Sequence, residues 1–336
     1  MKRTLSLLAL LSLAIILCTS LIGCSPDAWV ATDEAADDAV TREPVSSPVG
    51  GYGAAARQHI EALTDIGPRV SGTDGEAEAA RYIMDAFGQM GYAAELQAFS
   101  AETDDGGMIN SANVIAIKDG DSTQAIVVGA HYDAVDDGLG SDDNASGVAV
   151  MLEVAGLVKD VSTPYTIYFV AFGAEEVGLL GSDAFVSSLS EGDLADIVLM
   201  VNLDSVTAGD IAYAYSPEGR AEARDWAMDW AASNGYDLQT VPDINLADDE
   251  GGGTGDYEAF DLAGIPWLYF EATNWDLGNQ DGYTQVDPQY GDNGAIIHTE
   301  YDTLDYLDAT FPGRVDERLD LYVAVLFNLL TQFEMP

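Results

Sequence analysis

Imidazole and carboxylate groups cluster after one short apolar run of this 336-residue chain. His131 and Asp133 follow the uncharged run 125–130, and Asp143 lies in the Gly- and Asp-rich loop beyond them. A run of this kind is typical of a fully buried strand. Because open α/β sheets bind ligands at the carboxyl ends of their strands, we expect these side chains to form a ligand site.

Later apolar runs lead to groups of the same kind, namely Glu175, Glu176, Asp204 and His298. The glutamate pair comes shortly after the run 166–172, and the aspartate directly follows the run 197–203. Histidines and carboxylates that converge from several strands indicate a metal site, and no glycine-rich phosphate-binding motif lies beside these strands. The two cysteines, Cys18 and Cys24, lie in the N-terminal segment, so the remaining chain offers no thiolate ligand.

These motifs resemble those of the M28 family of zinc aminopeptidases, from about residue 55 to the C-terminus. The matching segments, in the family's order, are His131-x-Asp133, Asp143-Asn-Ala-Ser-Gly, Glu175-Glu176, Asn202-Leu-Asp204 and His298-Thr. Each segment alone is a weak signal, whereas the five in order are highly specific. The resemblance implies a zinc-exopeptidase fold and a peptidase activity.

The resemblance also implies a site for two Zn²⁺ ions, which Co²⁺ or Mn²⁺ could replace at these ligands. Asp143 would bridge the two metals. His131 and Asp204 would complete one metal site, and Glu176 and His298 would complete the other. Two such ions can activate water and stabilise the charge that develops on a carbonyl oxygen.

Four further acidic residues receive predicted roles. By resemblance, Glu175 is the general base. Asp133 is expected to accept a hydrogen bond from a ligand imidazole, and Asp302 is expected to do the same for His298. Asp142 is expected to face solvent. Because neighbouring strand residues point in opposite directions, the glutamate pair needs a turn to bring both side chains to one site.

The chain departs from the family pattern at one segment. Many members carry Ser-Asp-His where this chain has Gly255-Asp256-Tyr257, and that segment lines the substrate pocket in relatives. Tyr257 could donate a hydrogen bond to a developing oxyanion, although packing is the simpler expectation. Trp267, Tyr269 and Phe270 are expected to pack in the core, with a hydrophobic substrate pocket as the alternative.

The implied function is hydrolysis of peptide bonds at the N-terminus of peptides, with a free N-terminus required. One alternative is a glutaminyl cyclase, which shares the fold and uses a single zinc. The five-ligand set argues against it. A second alternative is a non-catalytic lipoprotein that binds peptides or metal, and the presence of Glu175 argues against that one. Carboxypeptidase or dipeptidase action stays open.

Helical and strand-like segments alternate along the chain. Helices are predicted at 52–66, 75–90, 147–159, 178–189, 218–234 and 314–334. Strands are predicted at 93–99, 113–117, 125–130, 165–172, 196–203 and 265–271. This order predicts a three-layer α/β/α domain whose central sheet is mixed but mostly parallel.

The N-terminus reads as a targeting segment. Lys2 and Arg3 precede the apolar run 5–17, and the sequence Leu-Ile-Gly-Cys24 resembles a bacterial lipobox. We expect Cys24 to carry lipid and the protein to be an extracytoplasmic, membrane-anchored lipoprotein, or to be secreted after signal cleavage. The predicted divisions are a signal peptide at 1–24, a flexible acidic tether at 25–51 and a peptidase domain at 52–336.

The formal net charge is −46, from 58 acidic and 12 basic residues. Such a surface repels phosphate backbones and anionic lipids, so nucleic-acid binding is not expected and membrane attachment would come from the lipid anchor alone. The first hypothesis for this charge is a solvated acidic shell that maintains solubility. The second hypothesis is adaptation to saline surroundings.

If the charge reflects a saline habitat, salt should stabilise the fold by screening the repulsion between carboxylates. We then expect the melting temperature to rise between low salt and about 1 M KCl, where the Debye length is about 3 Å. Differential scanning calorimetry across a KCl series measures this change. A melting temperature that stays level or falls would contradict the hypothesis.

Overall fold

A computed structural model describes residues 51–103, 106–241, 255–278 and 282–335. The predicted signal peptide with Cys24, and the predicted tether up to residue 50, lie outside the described residues. Residues 242–254 also lie outside the described residues. Within the described ranges, no helix combines the length and apolar character needed to cross a bilayer.

The described part of the chain is built around a mixed sheet of seven strands. The strands are β1 (Glu95–Glu102), β2 (Met108–Lys118), β3 (Ser122–His131), β4 (Tyr165–Phe172), β5 (Ile197–Leu203), β6 (Ile211–Tyr215) and β7 (Trp267–Thr273). Their order across the sheet is β1-β2-β4-β3-β5-β7-β6. The four central strands β4, β3, β5 and β7 are parallel to one another, while β1, β2 and β6 pair antiparallel with their neighbours.

Helices cover both faces of the sheet. They are α1 (Ala54–Asp65), α2 (Asp74–Gln89), α3 (Ala145–Val158), α4 (Leu180–Ser188), α5 (Glu191–Asp196), α6 (Glu222–Ser233), α7 (Tyr257–Leu262), α8 (Leu304–Thr310) and α9 (Arg314–Gln332). One apolar cluster includes buried residues of α1, α2, α3, α6 and α9, and a second includes residues of α4 and α7. The predicted three-layer α/β/α fold with a mostly parallel sheet is therefore confirmed.

Alternation along the central strands produces these two clusters. On β3, Ile126 and Val128 belong to the cluster that includes α3, whereas Val127 belongs to the cluster on the opposite face. All three are almost completely buried. A strand buried on both faces reads as a continuous apolar run, which is why this strand was predictable from sequence.

Gly129 lies on β3, two residues before His131, and leaves room for a neighbouring ring. A Cβ atom at this position would come within 2.4 Å of Cε2 of Phe172 and 2.8 Å of Cε of Met200. These distances are shorter than van der Waals contacts, and the ring is packed in the core. The glycine is therefore a packing requirement of the strand that carries the histidine.

We expect Gly129→Ala to lower the free energy of unfolding by about 1–3 kcal/mol, the cost of overpacking a filled core. The matched control is Gly88→Ala on α2, where a new Cβ meets no atom within 4 Å. That change should stabilise the protein by up to about 1 kcal/mol, because alanine has a higher helix propensity than glycine. Urea unfolding of both variants measures the difference, and equal effects would contradict the packing argument.

Candidate metal centre

Six of the predicted site residues meet in one pocket at the carboxyl ends of the central strands. The pocket has a volume of about 430 Å³. Its lining includes His131, Asp143, Glu175, Glu176, Asp204 and His298. His131 is the last residue of β3 and Asp204 follows β5, as the sequence predicted. His298 instead lies in a turn and has a φ of 58°.

Asp143 lies between the two histidines. Its Oδ1 is 3.1 Å from Nε2 of His131, and its Oδ2 is 3.0 Å from Nε2 of His298. Nε2 of His131 is also 3.5 Å from Oδ1 of Asp204, and Nε2 of His298 is 3.0 Å from Oε2 of Glu176. The two oxygens of one carboxylate therefore face two separate groups of side chains.

Two overlapping triads have the spacing of a metal site. Ligand-type atoms of His131, Glu175 and Asp204 lie within 4.8 Å of one another, as do those of His131, Asp143 and Glu176. Oε1 of Glu176 is buried and has no hydrogen-bond partner among the described residues. Imidazole and carboxylate donors of this kind suit Zn²⁺ and related divalent ions. The donor set therefore fits a metal centre.

Burial and neighbouring charged groups shift the pKa values of these side chains. Burial alone would raise the pKa of Asp143, but hydrogen bonds from His131 and His298 hold it below its usual range. The same contacts with Asp143 and Glu176 raise the pKa of His298 to about 11. Burial raises the pKa of Glu176 to about 7, and it raises that of Glu175 well above the usual value. A metal ion would displace the histidine protons, since a ligand imidazole must be neutral.

Asp133 holds the backbone of the glutamate pair. Its Oδ1 accepts a hydrogen bond from N–H of Glu175 (3.1 Å), and its Oδ2 accepts one from N–H of Glu176 (3.2 Å). The hydroxyl of Ser71 donates to the same Oδ2 at 2.6 Å. Nδ1 of His131 is 3.6 Å from Oδ1, which is longer than the hydrogen bond expected from sequence. Asp133 therefore contacts the backbone of the pair more closely than the imidazole.

A second buried carboxylate, Glu76, holds the backbone of Ala174, the residue directly before the glutamate pair. It accepts hydrogen bonds from N–H of Ala174 (3.1 Å), N–H of Gly72 (2.6 Å) and the hydroxyl of Ser111 (2.6 Å). Ala174 has a φ of 57°, in the left-handed region. Three successive N–H groups are thus fixed by two carboxylates, and this is the turn that the adjacent glutamates required. Sequence reasoning did not identify Glu76.

Asp142 is fully buried, so the prediction that it faces solvent is wrong. Its Oδ1 accepts hydrogen bonds from N–H and the hydroxyl of Thr207, both at 2.7 Å, and from N–H of Ala208 at 3.0 Å. Its Oδ2 accepts one from Nε2 of Gln285 at 2.8 Å. These four donors compensate for the desolvation of the carboxylate, whose pKa burial raises to about 6.

Gln285 connects the loop of Asp142 to the turn that contains His298. While its Nε2 donates to Asp142, its Oε1 accepts hydrogen bonds from N–H of Ile296 (3.1 Å) and N–H of Ile297 (2.9 Å). The amide is almost completely buried. One side chain thus fixes the backbone beside both halves of the centre, and no sequence motif indicated it.

Asp302 accepts hydrogen bonds from the loop that contains Asp142 and Asp143, which differs from its predicted role. Its Oδ1 accepts a hydrogen bond from N–H of Asp142 at 2.6 Å, and its Oδ2 accepts one from N–H of Asp143 at 3.1 Å. The carboxylate therefore holds the backbone of the loop, instead of the imidazole of His298 as we expected. The spacing of four residues to His298 was a misleading signal.

A fully buried guanidinium, that of Arg69, fixes the loop that leads from β3 to Asp143. Arg69 donates from Nε to the carbonyl of Tyr132 (2.8 Å), from Nη1 to that of Leu139 (2.6 Å) and from Nη2 to that of Gly140 (2.8 Å). Three carbonyl acceptors use donors from the fixed fork of the arginine. The guanidinium also places a buried positive charge close to Asp302 and Asp133.

Three aromatic and acidic side chains extend the pocket beyond the predicted set, namely Tyr269, Glu271 and Tyr283. Tyr269 was expected in the core and in fact also lines the pocket. Period-2 alternation along β7, which sends Trp267, Tyr269 and Glu271 to one side, could have indicated this. Tyr257 packs against Trp267 with ring centroids 4.3 Å apart, in agreement with the expectation that it is a packing residue.

Sequence comparisons identify relatives over most of the chain. The Escherichia coli (strain K12) alkaline phosphatase isozyme conversion protein is 33% identical over 318 residues, or 85% of this chain and 92% of that protein. Aminopeptidase YwaD of Bacillus subtilis (strain 168) is 31% identical over 72% of this chain. A probable lipoprotein aminopeptidase of Mycobacterium tuberculosis, LpqL, is 33% identical over 60%. The matches span 48% and 42% of these two aminopeptidases, so this chain aligns with about half of each.

Solved structures share the fold at lower identity. A zinc aminopeptidase from Bacillus subtilis superposes with a TM-score of 0.68 at 20% identity, over 87% of this chain and 98% of that one. A glutaminyl cyclase from Porphyromonas gingivalis gives 0.65 at 23% identity, over 83% and 98%.

The family assignment depends on the sequence match. The profile of peptidase family M28 covers residues 113–323, which include all six of the clustered site residues. Together with the relative that aligns over 85% of the chain, this match establishes that the chain belongs to peptidase family M28.

Proposed function

We propose that this protein is a two-zinc aminopeptidase that removes N-terminal residues from peptides. The observation that carries the proposal is the position of Asp143, whose two carboxylate oxygens face His131 and His298 separately. A carboxylate in that position suits a bridge between two metal ions. The names of two relatives, an aminopeptidase and a probable lipoprotein aminopeptidase, support the reaction class.

The ligand assignment follows the grouping of side chains around that carboxylate. His131 and Asp204 would complete one zinc site, and Glu176 and His298 would complete the other, with Asp143 shared. Co²⁺ and Mn²⁺ accept the same donor types. A single-zinc glutaminyl cyclase would need only three of these ligands, so the five-ligand set favours the peptidase.

The chemistry assigned to the chain's own residues centres on Glu175. Two bound divalent cations would polarise the scissile carbonyl and make water in the pocket more acidic. Glu175 would accept a proton from the attacking water and return it to the leaving amine. Asp133 would act as a positioning residue, because it fixes the backbone N–H of Glu175. Carboxylates of the pocket would receive the α-ammonium of the substrate, which explains the requirement for a free N-terminus.

We also propose that the protein is anchored outside the cytoplasm by lipid on Cys24. The lipobox-like sequence and the description of LpqL as a probable lipoprotein support this localisation. Expression of Cys24→Ser should move the protein from the membrane fraction to the soluble fraction. Unchanged fractionation would contradict the anchor.

Glu175→Gln tests the general base. We expect kcat on free-amine aminoacyl substrates to fall about 10²- to 10⁴-fold, the usual contribution of a general base. Zinc content should stay at two ions per chain. The matched control is Glu222→Gln on α6, an exposed residue outside the pocket, which should change neither property.

Elemental analysis and kinetics on free-amine, N-acetylated and N-terminal glutamine substrates provide the readout. One zinc or none, without turnover of free-amine substrates, would contradict the proposed function. Cyclisation of the glutamine substrate would indicate the cyclase instead.

Gln285→Leu tests the connection between the two halves of the centre. The variant loses the donor to Asp142 and the acceptor for N–H of Ile296 and Ile297, so we expect the free energy of unfolding to fall by about 1–3 kcal/mol. The affinity for one of the two zinc ions should fall about 10- to 100-fold, as for other residues that orient ligands. Zinc titration monitored by competition with a chelating dye measures this. Gln289→Leu, at an exposed loop position, is the control, and equal behaviour of the two variants would contradict the role.

A further inference from the structure

Glu271 is a pocket carboxylate that the proposed metal centre does not use. It lies on β7 and only 9% of it is exposed, at the pocket wall. Its Oε2 accepts a hydrogen bond of 3.0 Å from the hydroxyl of Tyr215, which in turn accepts one of 2.6 Å from Nε1 of Trp275. This chain of hydrogen bonds fixes the carboxyl group in place, and burial raises its pKa to about 8.

The strand order places Glu271 beside the metal centre. β7 pairs in parallel with β5, and N–H of Asp204 donates to the carbonyl of Phe270 at 3.1 Å. Glu271 is therefore next to Asp204 on the adjacent strand, and neighbouring strands are about 4.8 Å apart along the hydrogen-bonding direction. Because β3 lies on the other side of β5, Glu271 is one strand further from His131 than Asp204 is.

Within the part of the chain that the structure describes, the pocket lining leaves Glu271 without a partner of opposite sign. Asp143, Glu176 and Asp204 would be neutralised by metal, and Glu175 would serve as the base. Among the described residues that line the pocket, none is a lysine or an arginine. The ring of Tyr269, two residues before Glu271, lines the same pocket and packs against the rings of Tyr215 and Tyr257. Its accessible part offers an apolar surface.

We propose that Glu271 is a specificity-determining residue that binds the positively charged side chain of an N-terminal lysine or arginine. The proposal depends on the proposed aminopeptidase function. The aliphatic stem of such a side chain would lie on Tyr269 and its cationic end would meet the carboxylate of Glu271. An adjacent cation also favours the ionised form of a buried carboxyl group.

Isosteric substrate pairs test the charge alone. The pairs are lysine with norleucine and arginine with citrulline, each as an aminoacyl p-nitroanilide. We expect the wild type to prefer the charged member by about 10- to 100-fold in kcat/KM, the scale of a hydrogen bond between charged groups. Glu271→Gln, which keeps the bond to Tyr215, should abolish this preference and change kcat/KM for norleucine less than about 3-fold.

Glu222→Gln changes the net charge equally on an exposed part of α6 and should keep the preference. Binding of free lysine and norleucine, measured by thermal shift, provides a readout that does not need turnover. Lysine should stabilise the wild type more than norleucine does, and Glu271→Gln should remove the difference.

The outcomes separate this proposal from the proposed function. Equal losses on all substrates in Glu271→Gln would overturn side-chain recognition and indicate a contact with the α-ammonium. A wild type that prefers norleucine would also overturn it. Absence of turnover on every substrate would contradict the aminopeptidase, and the thermal-shift comparison would then still decide whether Glu271 binds the cationic side chain.

Discussion

Repulsion between buried carboxylates is the constraint on which this structure depends. Several acidic side chains and two histidines converge on one pocket at the carboxyl ends of the parallel central strands, where burial makes every uncompensated charge costly. In the structure, Asp143 is compensated by His131 on one side and by His298 on the other. Divalent cations would supply stronger compensation at the same positions. The grouping around Asp143 is therefore the basis of both the stability and the proposed chemistry of the site.

A second set of buried polar groups keeps this arrangement in place. Glu76 and Asp133 accept hydrogen bonds from backbone N–H groups of the glutamate turn, and Asp302 accepts them from the loop of Asp143. Arg69 donates to carbonyls of that same loop. Each of these groups bonds to backbone, so each fixes the conformation of a loop and leaves the pocket side chains accessible. Ligands on loops become rigid in this way without belonging to regular secondary structure.

The sequence predicted those parts of the fold that a local pattern determines. The continuous apolar run before His131 predicted a buried central strand, and the order of motifs predicted which side chains would meet. Partners distant in sequence were not predictable: Asp142 is buried because Thr207 and Gln285 satisfy it, and neither is its neighbour in sequence. The five-residue strand β6 and the short helices α5, α7 and α8 were missed, because such brief segments carry no clear periodicity. Glu271 was overlooked because we assigned its strand to the core instead of following the alternation to its end.

The most direct test of the central claim is anomalous diffraction at the zinc absorption edge from crystals of the zinc-loaded protein. The account predicts two peaks about 3.5–4 Å apart, the usual separation in two-metal hydrolases, with one carboxylate oxygen of Asp143 directed at each. His131 and Asp204 should contact one peak, and Glu176 and His298 the other. A single peak, or two peaks that do not share Asp143, would contradict the proposed centre.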